Sequence, residues 1–200
     1  VEVWSLFIKK LASTSTHCHP NKKTSLILLE GNAIFSSLNE EVKLNSLDTI
    51  AMEPEVFHTT QAISEEGIHL LEIETPPDKY DLIRLQDRYG RVKRGYEGPD
   101  LMSPNEKNCL RFFDDPKDSF LEKEYCNKRI CIRDIDTNRL NAYDIKNQEI
   151  IVVIGGEPID NFNMPVAVGD VYKGYNFLKK IVGYASVPHV IKLMCINPKN

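Results

Sequence analysis

The sequence predicts an all-β protein built from two β-rich units in tandem. Three observations carry this expectation. Short apolar segments recur about every eight to twelve residues between turn residues, the spacing of a β-sandwich or barrel. No segment of helical period and useful length appears before Asp78. The order of strands and turns in the first half then returns, in weaker form, in the second.

The elements follow in order. Val1 to Ala12 alternates imperfectly, carries Trp4, Phe7 and Ile8, and reads as one strand. His17 to Leu29 reads as a strand pair bent at the turn residues Pro20, Asn21, Lys22 and Lys23. Gly31-Asn32 is a turn. Ala33 to Phe35, Val42 to Leu44, Leu47 to Met52, Thr59 to Ile63 and His69 to Glu74 are further strands. The expected organisation is a first barrel over 1–92, a linker over 93–100 and a second unit over 101–200.

Composition sets the outer limits. A chain of 200 residues with 42% hydrophobic residues is long enough for one large or two small domains. The formal net charge of -4, with mixed signs, argues against nucleic acid as a partner. No apolar run approaches the roughly 20 residues that span a bilayer, so no membrane role is expected. No signal-peptide pattern opens the chain. The five cysteines, Cys18, Cys109, Cys126, Cys131 and Cys195, are odd in number and spread out. That pattern reads as reduced thiols and a cytoplasmic protein.

The most informative stretch is Thr16-His17-Cys18-His19-Pro20. Strand side chains alternate, so His17 and His19 share a face and Cys18 points to the other. Two imidazoles on one face of a strand form a metal clip, and His58 is the expected third ligand. Imidazole suits zinc, iron, nickel and copper, so the spacing does not choose the ion. His69 shares its strand face with Leu71 and Ile73 and reads as a packed histidine. Glu72 and Glu74 share the opposite face. Further on, Arg84, Arg88, Arg91 and Lys93 form a basic group suited to phosphate or carboxylate, with Asp81 and Asp87 as partners.

The order H-x-H, apolar strand, glycine turn, proline and histidine resembles the two cupin motifs. His17, His19 and Gly31 match the first, and Asp48, Pro54 and His58 match the second loosely. Thr24 stands where the cupin carboxylate is expected, which leaves three neutral ligands. Asp81-Leu82-Ile83-Arg84 and Asp87-Arg88-Tyr89-Gly90-Arg91 resemble the end of the type II phosphomannose isomerase cupin. The resemblance implies jelly-roll barrels of the double-stranded β-helix type. It also implies a divalent metal (zinc, iron, manganese or nickel) and a sugar or sugar phosphate as substrate. The implied activity is aldose–ketose isomerisation in carbohydrate or polysaccharide biosynthesis. Arg84, Arg88, Arg91 and Lys93 would bind the substrate, and Glu72, Glu74 and Arg84 would be catalytic. A non-catalytic module for a sugar or nucleotide sugar and an iron-dependent dioxygenase are the alternatives. Pairing through outer strands into a homodimer is carried by the resemblance alone.

In the second half, Glu149 to Gly156 parallels Thr24 to Gly31, Val168 to Val171 parallels Leu47 to Ile50, and Leu193 to Ile196 parallels Leu70 to Ile73. This pairing places Ala142 and Asp144 against the two histidines, with Lys179 and Lys180 in the region of the third imidazole. The second barrel is therefore expected to be degenerate and metal-free.

Overall fold

The computed structural model describes residues 1–78, 80–86, 90, 120–156, 166–182 and 190–198. The chain divides into two compact units, Val1–Cys109 and Leu110–Asn200. The expected linker at 93–100 lies outside the described residues.

The first unit contains β1 (Glu2–Ile8), β2 (Thr16–Cys18), β3 (Lys23–Glu30), β4 (Asn32–Ser37), β5 (Glu41–Asn45), β6 (Thr49–Met52), β7 (His58–Ala62), β8 (Ile68–Thr75) and β9 (Ile83–Gln86). One sheet runs β1-β8-β3-β6 and the other β5-β4-β7-β2-β9. Successive strands from β1 to β4 alternate between the two sheets, and every pairing is antiparallel. This interleaving is a jelly roll, or double-stranded β-helix, with β9 added beside β2.

The apolar run of β3 explains its central position. Leu26, Ile27, Leu28 and Leu29 are all buried, so both faces of the strand are out of water. Leu26, Leu28 and Leu70 of one sheet cluster with Ala33, Phe35 and Ala62 of the other. The turn after β3 needs a glycine. Gly31 has φ +85°, and a Cβ there would stand 2.6 Å from the carbonyl oxygen of Gly67.

The second unit contains β10 (Phe120–Tyr125), β11 (Lys128–Asp136), a 3-10 turn (Thr137–Ala142), β12 (Ile150–Gly156), β13 (Val171–Lys173), α1 (Gly174–Val182) and β14 (Val190–Pro198). Its sheet runs β10-β11-β14-β12-β13. The last four strands repeat the order β1-β8-β3-β6, and the register repeats with it. Leu26 faces Glu72 and Leu28 faces Leu70 in the first unit; Ile151 faces Cys195 and Val153 faces Leu193 in the second. A bulge follows Leu28 in one and Val153 in the other. The backbone N–H of Leu47 donates to the carbonyl of Leu28, as that of Gly169 does to Val153. Leu47 therefore corresponds to Gly169, one residue later than the sequence pairing places it. Both have positive φ, 69° and 91°, as the turn requires.

The helix α1 is not anticipated by the strand pattern. Gly174, Phe177 and Ile181 are its buried residues, a helical stripe. Phe177 and Ile181 pack with Ile151, Val153 and Leu193. Lys179 and Lys180 belong to the last turn of α1. Among the described residues of this unit, α1 and the 3-10 turn cover the sheet face that the second sheet covers in the first unit.

Replacing Gly31 by Ala adds a Cβ at a positive φ and against a carbonyl. It is expected to cost about 1–3 kcal/mol, read as a lower urea midpoint with an unchanged m-value. An unaltered midpoint would contradict the turn geometry.

Candidate metal centre

The three histidines meet between the two sheets of the first unit. β2 pairs with β7 so that His17 lies directly opposite His58, and His19 follows at the end of β2. The ring centroids are 4.4 Å apart for His17–His58, 5.1 Å for His17–His19 and 5.8 Å for His19–His58. All three rings are buried. Phe35 stacks against His58 at 6.0 Å between centroids, with 17° between the planes.

Each imidazole is oriented in the same way. His17 Nδ1 donates to the carbonyl of Ser15 at 2.7 Å, His19 Nδ1 to the carbonyl of Asp81 at 2.7 Å, and His58 Nδ1 to the carbonyl of Val56 at 3.0 Å. A carbonyl only accepts, so this assigns the proton to Nδ1 and leaves Nε2 as the lone-pair donor. The Asp81 carboxylate completes the support. It accepts from the backbone N–H of Asn21 at 2.9 Å and from Asn21 Nδ2 at 2.8 Å. Burial raises its pKa, but the bonds from Asn21 outweigh this and hold it below the usual carboxylate value. Asp81 therefore secures the turn after His19, while its own carbonyl orients the ring. The sequence expectation of an Asp81–Arg84 pair is replaced by this role, because Asp81 faces the Asn21 turn.

The fourth member of the cluster is Glu72. Atoms able to bind a metal on His17, His19, His58 and Glu72 all lie within 4.8 Å of one another. The three histidines thus have a carboxylate beside them, which the motif positions alone do not supply. The anion comes from β8 across the barrel, while Thr24 on β3 holds the position where a carboxylate was sought. Burial raises the Glu72 pKa, but His19 beside it, with His17 and His58, brings it below the ordinary value. Desolvation dominates at His17 and His58. Burial, helped by the neighbouring His58, lowers His17 to about 3, and burial lowers His58 as well.

Glu74 lies one β-period further along the same strand face. It is fully buried, as is Lys22, and the Lys22 ammonium donates to its Oε1 at 2.8 Å. Trp4 Nε1 donates to Oε2 at 3.2 Å. Glu74 Oε1 is also 3.5 Å from His19 Nε2. Lys22 lies among the turn residues Asn21 and Lys23, which carry no sequence signal that its stem turns inward. His69 sits away from the cluster, against Phe7 at 4.7 Å between ring centroids, as its apolar strand face predicts. Cys18 is buried and outside the cluster.

Arg84 on β9 is the cross-strand partner of His17, and its Nε donates to Ser15 Oγ at 3.2 Å. Ser15 is the residue whose carbonyl holds His17. The structure thus brings Arg84 beside His17, one of the three histidines. Arg88, Arg91 and Lys93, with Asp87, lie outside the described residues.

The residues fit a divalent ion. His19 Nε2 is a buried nitrogen without a hydrogen-bond partner, and three imidazoles with one carboxylate form a common donor set for a divalent metal. The imidazoles stand inside a jelly roll, on the strands that face its interior. The first unit has the double-stranded β-helix fold.

No protein-family model matches the chain, and no curated protein matches it in sequence. The solved structures it resembles include double-stranded β-helix proteins. An uncharacterised conserved protein with such a domain from Klebsiella pneumoniae is 16% identical, with a TM-score of 0.36 over 37% of this chain and 65% of that one. The capsular polysaccharide assembling protein CapF from Staphylococcus aureus is 13% identical, with a TM-score of 0.39 over 43% of this chain and 28% of that one. A candidate sugar phosphate isomerase from Acidithiobacillus ferrooxidans is 15% identical, with a TM-score of 0.34 over 35% of this chain and 46% of that one. The chain spans less than two thirds of each of these proteins. Among the described residues no helix is long and apolar enough to cross a membrane.

The lowered pKa values fix the sign of a pH dependence. His17, held near 3 in the fold against 6.5 ordinarily, takes up its proton in the unfolded chain first. The unfolded state then binds more protons over that window, so stability falls as pH drops from about 6.5 towards 3. His58 and Glu72 act in the same direction, since the fold lowers both. The urea midpoint of the metal-free protein is therefore expected to fall between about pH 7 and about pH 5. A flat profile would contradict desolvated imidazoles.

Proposed function

We propose that the first unit is a metal-dependent cupin site for a sugar or sugar phosphate, with chemistry of the aldose–ketose isomerase kind. The observation that carries this reading is the placement of Arg84 beside a buried set of three imidazoles and one carboxylate. A divalent ion in such a set supplies a Lewis acid for carbonyl and hydroxyl oxygens.

The chain's own residues divide the remaining work. His17, His19, His58 and Glu72 hold the ion, and the three Nδ1 bonds keep the rings from turning away. Arg84 presents a guanidinium to an anionic group of the ligand, and Arg88, Arg91 and Lys93 extend that role in the proposal. Moving a proton between adjacent carbons needs a base. With Glu72 at the metal, Glu74 is the carboxylate that remains on the same face, 3.5 Å from His19 Nε2.

One observation favours a second reading, a sugar-binding module without turnover. Glu74 is already engaged by Lys22 and Trp4, which restrains a base. The two readings separate in one set of measurements. Glu72→Gln is expected to weaken metal binding by at least about tenfold. Arg84→Ala is expected to leave metal content unchanged and to raise the KM for a sugar phosphate about tenfold or more, the value of one charged hydrogen bond. Turnover of an aldose phosphate by the metal-loaded protein supports the isomerase. Calorimetric binding of the same compound without turnover supports the module, and neither result sinks both.

A further inference from the structure

The matched registers of the two sheets give the centre of the first unit a counterpart in the second. Cys195 stands where Glu72 stands, and Cys131 where Trp4 stands. One residue before Ile150 in the same register, Glu149 takes the place of Thr24. The face that carries Glu72 in one unit therefore carries two thiols and a carboxylate in the other.

These three side chains form a built cluster. Cys131 and Cys195 are direct cross-strand partners on β11 and β14. Metal-binding atoms of Cys131, Glu149 and Cys195 lie within 4.8 Å of one another, and all three residues are at most 1% exposed. Glu149 Oε1 accepts from Arg133 Nη2 at 2.7 Å and from Asn197 Nδ2 at 2.6 Å. Its other oxygen, Oε2, is buried and has no hydrogen-bond partner. Arg133 Nε and Nη2 each donate to Cys131 Sγ at 3.4 Å. A pocket of about 510 Å³, bounded in part by Cys131, Arg133, Glu149 and Asn197, opens beside the cluster.

We propose that Cys131, Cys195 and Glu149 form a second metal centre, for a thiophilic divalent ion of the zinc type, with a remaining position open to the pocket. Two thiolates and one carboxylate oxygen make three ligands of a tetrahedral site whose fourth position is free. Arg133 and Asn197 fix Glu149 through Oε1, so Oε2 is the oxygen left for the ion. The charges also balance: the ion and Arg133 together offset three ligand anions in a buried place. Binding converts the two thiols to thiolates, and their protons leave to solvent. Thiolates select for zinc-like ions where the imidazoles of the first unit do not. The proposal does not depend on what the first unit binds.

The test uses the full chain, kept reduced with a phosphine and loaded with cobalt(II) alone. A thiolate-to-cobalt charge-transfer band is expected, which an imidazole–carboxylate centre cannot give. The band should persist in His17→Ala/His19→Ala, vanish in Cys131→Ser and Cys195→Ser, and be displaced by zinc. Absence of the band in the parent, or its survival in both cysteine variants, would overturn the proposal. A second measurement does not require the cysteine variants to fold. Equilibrium dialysis of His17→Ala/His19→Ala against zinc should leave one equivalent bound per chain, and none bound would overturn the assignment.

Discussion

Three hydrogen bonds from ring Nδ1–H groups to backbone carbonyls determine what the first unit can do. A buried imidazole costs free energy unless its polar atoms are satisfied, and here the backbone satisfies one nitrogen of each ring. The carbonyls belong to Ser15, Val56 and Asp81, in the segments around β2, β7 and β9, so the jelly-roll connections themselves set the ring orientations. Breaking the β2–β7 pairing would separate His17 from His58, since the two face each other in register.

Around that centre the fold buries charge in pairs. Lys22 and Glu74 are both withdrawn from water and joined at 2.8 Å. Removing either partner alone would strand the other, a loss of about 3–5 kcal/mol for buried pairs in general. Such a pair is a costly way to fill a barrel, and its position beside His19 Nε2 ties it to the centre. The second unit fills matching places differently, with Glu149 where Thr24 stands and Asn197 where Glu74 stands, and Glu149 accepts from both Asn197 and Arg133. Two sheets of the same strand order thus carry different chemistry on matching faces.

Much of this was legible in the sequence. Alternation placed His17 and His19 on one face and Cys18 on the other, and β1 through β8 follow the expected segments closely. The repeat was legible too, because the apolar runs Leu26–Leu29 and Ile150–Ile154 share their bulge and their final strand. Other features were not. Glu72 reaches the histidines from the opposite sheet, a distance in space that no local spacing encodes. Lys22 sits among turn residues, and only the fold turns its stem inward. The helix α1 shows a short apolar stripe, Phe177 and Ile181, too brief to stand out in a β-rich chain. Cys131 and Cys195 are far apart in sequence and meet only through the β11–β14 register.

The most direct measurement is anomalous diffraction at the absorption edge of a divalent metal soaked into crystals of the protein. The account expects a peak inside the first unit within about 2.0–2.2 Å of Nε2 of His17, His19 and His58 and of a Glu72 carboxylate oxygen. A peak that excludes Glu72, or no peak among these side chains, would contradict it.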